Sequence, residues 1–145
     1  MALDNSFYLE VSQEPNQIKS WMIENLDFQE SEDQTAIIKK GVTAVVDFYN
    51  PHFNVVEETY DFVPNVSVYF RLDKFEAFDD GFINMVQSVQ SILENFSCQA
   101  ILIGPGGETS LLYKNGKLIL QSSEWAGTNL ALFDMPYVVQ EIINM

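Results

Sequence analysis

The residue types able to carry chemistry are few and scattered. His52, in Asn50-Pro51-His52-Phe53, is the only histidine, so no paired-histidine metal site can form, and a Ser-His-Asp or Cys-His arrangement would have to be built on that one residue. Its place directly after a proline break suits an ordinary loop histidine. Cys98 is the only cysteine, which excludes an intramolecular disulfide; between a predicted helix and a predicted strand it reads as an inert buried thiol. Gly104-Pro105-Gly106-Gly107 has the glycines of a phosphate cradle. It lacks the fingerprint spacing and a Lys-Ser/Thr pair, and it precedes a hairpin where a helix should begin, so it reads as a turn. Asp73, Glu76, Asp79 and Asp80 place four acids in eight residues without the glycine-centred spacing of a calcium loop, and read as a solvated helix entrance. Carboxylates are so numerous that a pair at the roughly 5 to 9 Å used in glycoside hydrolysis would arise by chance. No catalytic set, metal site or cofactor is expected.

One pair of residue types remains. Val66, Val68, Phe70 and Leu72 alternate with Ser67, Tyr69, Arg71 and Asp73, the period of two of a half-buried strand. If the apolar set faces a core, Tyr69 and Arg71 point outward, and Arg71 is the only arginine in the chain. Tyr and Arg are enriched at interface hot spots because they join contact area to directional hydrogen bonds. Either Arg71 serves an interface or it pairs with an acid on a neighbouring strand such as Asp47, and the two roles are compatible.

The elements that must hold these residues follow from periodicity and turn chemistry. A strand over 6–12 precedes a helix with Ser12 as N-cap, Pro15 in its first turn and Ile18, Trp21, Met22 and Leu26 as its apolar stripe. Residues 27–34 are an aperiodic acidic stretch, read as a mobile loop. Residues 35–39 and 42–49 form a hairpin about Gly41, Asn50-Pro51 breaks it, and 54–61 form a short edge strand whose Glu57, Glu58 and Asp61 discourage edge pairing. After the strand at 65–73, Asp79 and Asp80 open a helix running to about Phe96, with Phe82, Met85, Val86, Val89, Ile92, Leu93 and Phe96 on its core face. A strand over 99–103 and a hairpin about Asn115-Gly116 follow; an Asn-Gly pair between apolar strands is the strongest short-range hairpin signal. Residues 130–135 are read as a helical turn and 136–143 as a last strand. The sum is an α+β fold, a mainly antiparallel sheet with two helices packed on one face, in which the order strand, helix, hairpin recurs twice.

The totals fit one domain over 1–145, long enough to bury a core without staples. Twenty-one acids against seven basic residues give a net charge of -14. Such a field repels nucleic acid and anionic membranes, and it attracts cationic partners. The first residues lack a basic region followed by an apolar run, and no apolar stretch approaches the ~20 residues that span a bilayer, so a cytoplasmic location is expected.

At Val66-Ser-Val-Tyr-Phe-Arg-Leu-Asp-Lys74, preceded by Phe62-x-Pro64 and followed by the helix to Phe96, the sequence resembles the immunity proteins paired with the swarming-inhibition (Sit) toxins of myxobacteria, in their third group. The opening Met1-Ala-Leu-Asp4 and the hairpin Leu111-Leu-Tyr-Lys-Asn-Gly-Lys-Leu-Ile-Leu120 carry the resemblance over most of the chain. It implies a small cytoplasmic protein that binds and neutralises a cognate toxin, without catalytic residues. Under that reading Glu57, Glu58, Asp61, Asp73, Glu76, Asp79 and Asp80, with Tyr69 and Arg71, would meet a toxin whose contact surface is cationic. The alternative is an enzyme or small-ligand protein using a pocket between sheet and helices, with His52, Arg71 and a carboxylate as its polar set.

Overall fold

The longest strand, β1 (Leu3–Val11), lies at the centre of a nine-stranded sheet. The computed structural model describes residues 3–50, 60–125 and 127–142, without the side chain of Thr128. The chain continues through α1 (Pro15–Asn25), β2 (Gln29–Glu30), β3 (Ile37–Lys39), β4 (Val42–Phe48), β5 (Val66–Leu72), α2 (Phe78–Asn95), β6 (Cys98–Ile103), β7 (Thr109–Lys114), β8 (Lys117–Gln121), a 3-10 helix (Gly127–Leu132) and β9 (Val138–Gln140). The strand order is β2-β3-β4-β5-β1-β6-β7-β8-β9, antiparallel throughout except for the parallel pair β8 and β9. The fold is α+β, and both helices pack on the same face.

That face is written in the alternation. Phe7 and Leu9 of β1 pair with Val68 and Val66 of β5, and Ala100 and Leu102 of β6 continue the same side. Ile18 and Met22 of α1 and Met85, Val86, Val89, Ile92 and Leu93 of α2 close over them in one core cluster. Each fully buried Leu, Ile or Phe there contributes about 1.5–3 kcal/mol by leaving water.

The two helices begin differently from one another. α2 opens with Asp79 and Asp80 in its first turn, where carboxylates complement unpaired N–H groups. α1 is capped by Glu14, not by Ser12: Pro15 takes the first helical position and drives its predecessor to an extended backbone, and the Glu14 N–H donates to Gln17 Oε1 at 2.8 Å.

Three stretches depart from expectation. Residues 27–34 are not a free loop. Phe28 is buried in the core, Gln29–Glu30 pairs with β3, and the following turn is tied by Asp33 Oδ1, which accepts from the Ser31 and Thr35 hydroxyls at 2.8 Å each. Those bonds hold the Asp33 carboxyl below its usual pKa. The edge strand expected at 54–61 falls largely outside the described residues; within them Tyr60 and Asp61 are not strand, and Asp61 has φ 58°. The last strand is short and parallel to β8. Its crossover is anchored by Trp125, whose Nε1 donates to Ser110 O at 2.7 Å, and by Phe133, both buried in the core. The recurring order is not a duplication of arrangement either, since the hairpin after α1 joins β5 through its second strand and the one after α2 joins β1 through its first.

One end of the sheet is locked by a close approach. The turn residue Gly41, at φ 79°, lies so near Ala77 O and Gly81 N that a Cβ would overlap both. Asp73 N donates to Gly41 O at 2.9 Å, Asn84 Nδ2 donates to Lys40 O at 2.9 Å, and Lys40 pairs with Asp80 at 3.2 Å. The ends of β3 and β5 and the start of α2 therefore form one clamped platform.

Candidate partner-binding surface

On the face away from the helices, register fixes which side chains are neighbours. Ile38, Thr43, Arg71 and Asp4 follow one another across β3, β4, β5 and β1. The next row is Val45, Tyr69, Ser6 and Ile103, and the next Asp47, Ser67, Tyr8 and Ile101. Tyr69 and Arg71 thus point away from the core as the alternation requires.

The strands covered at one end of this face are open at the other. The segment from Tyr60 to Asn65 crosses it as a strap, with Tyr60 and Phe62 buried on Ile101 and Leu112. The Tyr60 and Thr109 hydroxyls lie 2.7 Å apart, Lys114 Nζ donates to Tyr60 O at 2.7 Å, and Val63 N donates to Glu10 Oε2 at 2.7 Å. Asn65 finishes the strap by bonding both ways to the Val11 backbone, at 2.8 and 2.9 Å. The row through Arg71 and Asp4 lies beyond it.

There Arg71 Nε sits 3.5 Å from Asp4 Oδ1, with side chains 61% and 42% exposed. The partner is Asp4 and not Asp47, which stands opposite Ser67, four residues along β5 from Arg71. The contact is an ion pair without hydrogen-bond geometry, and Asp4 Oδ1, shielded from solvent, has no hydrogen-bond partner. A hydrogen bond to the Asp4 carboxylate raises the Tyr69 pKa above its usual value; burial adds to this and Arg71 opposes it. A shallow cavity of about 320 Å³ lies beside the set, lined by Ile38, Thr43, Arg71 and Asp73 among others.

The expected acidic residues do not form one patch. Asp61 is in the strap before β5, whereas Asp73, Glu76, Asp79 and Asp80 follow its other end, about 20 Å away along a seven-residue strand. Asp73 Oδ1 accepts from Phe75 N at 2.9 Å and shapes the turn, and Asp80 is paired with Lys40. Glu76 and Asp79 are exposed. Glu57 and Glu58 lie outside the described residues, as does His52.

Sequence reasoning missed three members of this surface. Asp4 was placed before the first strand, and its meeting with Arg71 depends on a register between strands far apart in sequence. Ile38 faces out because Ile37 takes the core position of a three-residue strand. Phe75, 76% exposed in the turn after β5, is a single aromatic residue in an acidic connection, and such a residue carries no period to tell exposure from burial.

The other groups that sequence singled out are engaged. The glycine turn is occupied by its own chain, since the Glu108 carboxylate folds back so far that a Cβ at Gly104 or Gly106 would overlap it. Burial pushes the Cys98 thiol up to about 11, so it stays protonated and unreactive at neutral pH. Among the described residues no three His, Cys, Asp or Glu side chains converge as a metal site, and no helix is long and apolar enough to cross a membrane.

A family model described as SitI3-like matches residues 3–128. Neither a curated protein nor a solved structure matches the chain.

Proposed function

We propose, from the premise that the chain belongs to the SitI3-like family, that it is an immunity protein: a single-domain, non-catalytic, cytoplasmic protein that binds a cognate toxin and blocks it. The observation that carries this reading is the uncovered part of the sheet face, where Tyr69, Arg71 and Asp4 stand in fixed register. Hydrogen-bonded strands hold these backbones already in place, so a partner meets them with little ordering cost. The guanidinium of Arg71, 61% exposed, is left able to donate hydrogen bonds across an interface.

The net charge of -14 favours a toxin with a cationic contact surface and disfavours nucleic acid and anionic membrane. Asp61, Asp73, Glu76, Asp79 and Asp80, with Glu57 and Glu58, contribute to that field; Tyr69 and Arg71 make the directional contacts. The reading is tested by expressing the reading frame adjacent to this gene in a naive bacterial host, with and without this protein. Growth arrest relieved by co-expression is expected, and a toxic neighbour left fully toxic contradicts it. Association measured against ionic strength should slow steeply; a salt-independent rate removes the electrostatic half.

A further inference from the structure

A groove of about 570 Å³ opens on the helix side of the molecule, away from Tyr69 and Arg71, between the start of α2 and the 3-10 helix. Phe78, Phe82, Ile83 and Leu132 line it, with Asp79 and Asn129 as its polar groups. Ile83 is 37% exposed although it lies on the most strongly amphipathic helix of the chain. Phe78 and Phe82 stack with centroids 6.2 Å apart, and Phe82 rests on the buried Trp125 at 5.8 Å, so the floor is backed by the core.

Two properties define an occupant. One carboxylate and one amide are too few to orient a small polar substrate, whereas the apolar floor is sized for bulky aliphatic side chains. The charge is one-sided: the ion pairs among the described residues join Lys19 to Glu30, Lys40 to Asp80 and Arg71 to Asp4, and Asp79 is in none of them. Asp79 and Ile83 stand four residues apart on one helix face, so an acceptor for a cation and an apolar contact are spaced by one turn.

The geometry points to this groove as a docking site for a cationic amphipathic helix of a protein partner, its apolar side chains on Phe78, Phe82 and Leu132 and a Lys or Arg one turn away on Asp79. The inference rests on the immunity reading only for which protein supplies the helix.

The test uses a synthetic Leu/Lys peptide of about four helical turns, patterned as an amphipathic helix, and a scrambled peptide of the same composition. The protein carries Trp21→Phe, so that fluorescence reports Trp125 behind the groove. A saturable change with the patterned peptide alone is expected. Ile83→Ser and Asp79→Asn should each weaken binding about ten-fold or more, while Glu94→Gln, an exposed acid later on the same helix, leaves it unchanged. Circular dichroism verifies that each variant is folded. Equal binding of the scrambled peptide, or unchanged affinity in Ile83→Ser, overturns the groove and shows attraction to net charge alone. Because no toxin enters this assay, its failure leaves the immunity reading standing, and failure of the co-expression experiment leaves the groove intact.

Discussion

Phe70 and Arg71 are adjacent in sequence and lie in the same strand, yet the first is shut from solvent beneath the helices and the second projects from the opposite face. The same contrast runs along β1, where Phe7 and Leu9 are buried and Ser6 and Tyr8 are only partly covered. One alternation of period two therefore separates the residues that hold the fold from those free to meet a partner. The separation is incomplete by design of the strap, which closes half of the second face with Tyr60 and Phe62 and leaves the Arg71 half open.

The sharpest way to break this comparison is to truncate both neighbours. Phe70→Ala should cost about 3–5 kcal/mol in urea denaturation, through lost burial and a cavity. Arg71→Ala should cost under about 1 kcal/mol, because its ion pair is largely exposed. Comparable losses would mean that the outer face is structural as well. A smaller effect concerns the platform. Glycine to alanine normally stabilises a helix interior, by about 1 kcal/mol. At Gly81 the sign reverses, because the new Cβ would overlap the Gly41 carbonyl; a loss of about 1–3 kcal/mol is expected from the forced shift. A stabilised Gly81→Ala protein would show that the clamp yields freely.

The smallest effect is a titration. The folded Tyr69 pKa is raised above its ordinary value of 10.0, so whatever stability its neutral hydroxyl contributes is complete below that value and is lost as pH rises through the folded one. Ultraviolet difference titration against Tyr69→Phe should place this residue above an ordinary tyrosine, and Asp4→Asn should bring it down. No response to Asp4→Asn would break the link between the two strands.

What could be read from sequence was local. The hairpin at Asn115-Gly116 needs two positive φ angles in succession and has them, at 54° and 76°. The apolar stripe of α2 and the alternation of β5 are repeated signals within one element, so both were legible. Phe28 was not, because one aromatic residue in an acidic stretch carries no period and its burial depends on where β2 pairs. The partner of Arg71 was missed for a related reason: β5 has two neighbours, and only the observed register selects Asp4 on β1 over Asp47 on β4. The strap and the parallel β9 are likewise products of long-range packing. The acids chosen as contacts were legible as charge but not as a patch, since the length of β5 divides them.

The most direct measurement is protection by the double variant Tyr69→Ala/Arg71→Ala, co-expressed with the adjacent reading frame and matched to wild type in thermal melting. If the outer face recognises and the inner face folds, the variant stays folded and growth protection is lost. A folded variant that protects as well as wild type would contradict that division.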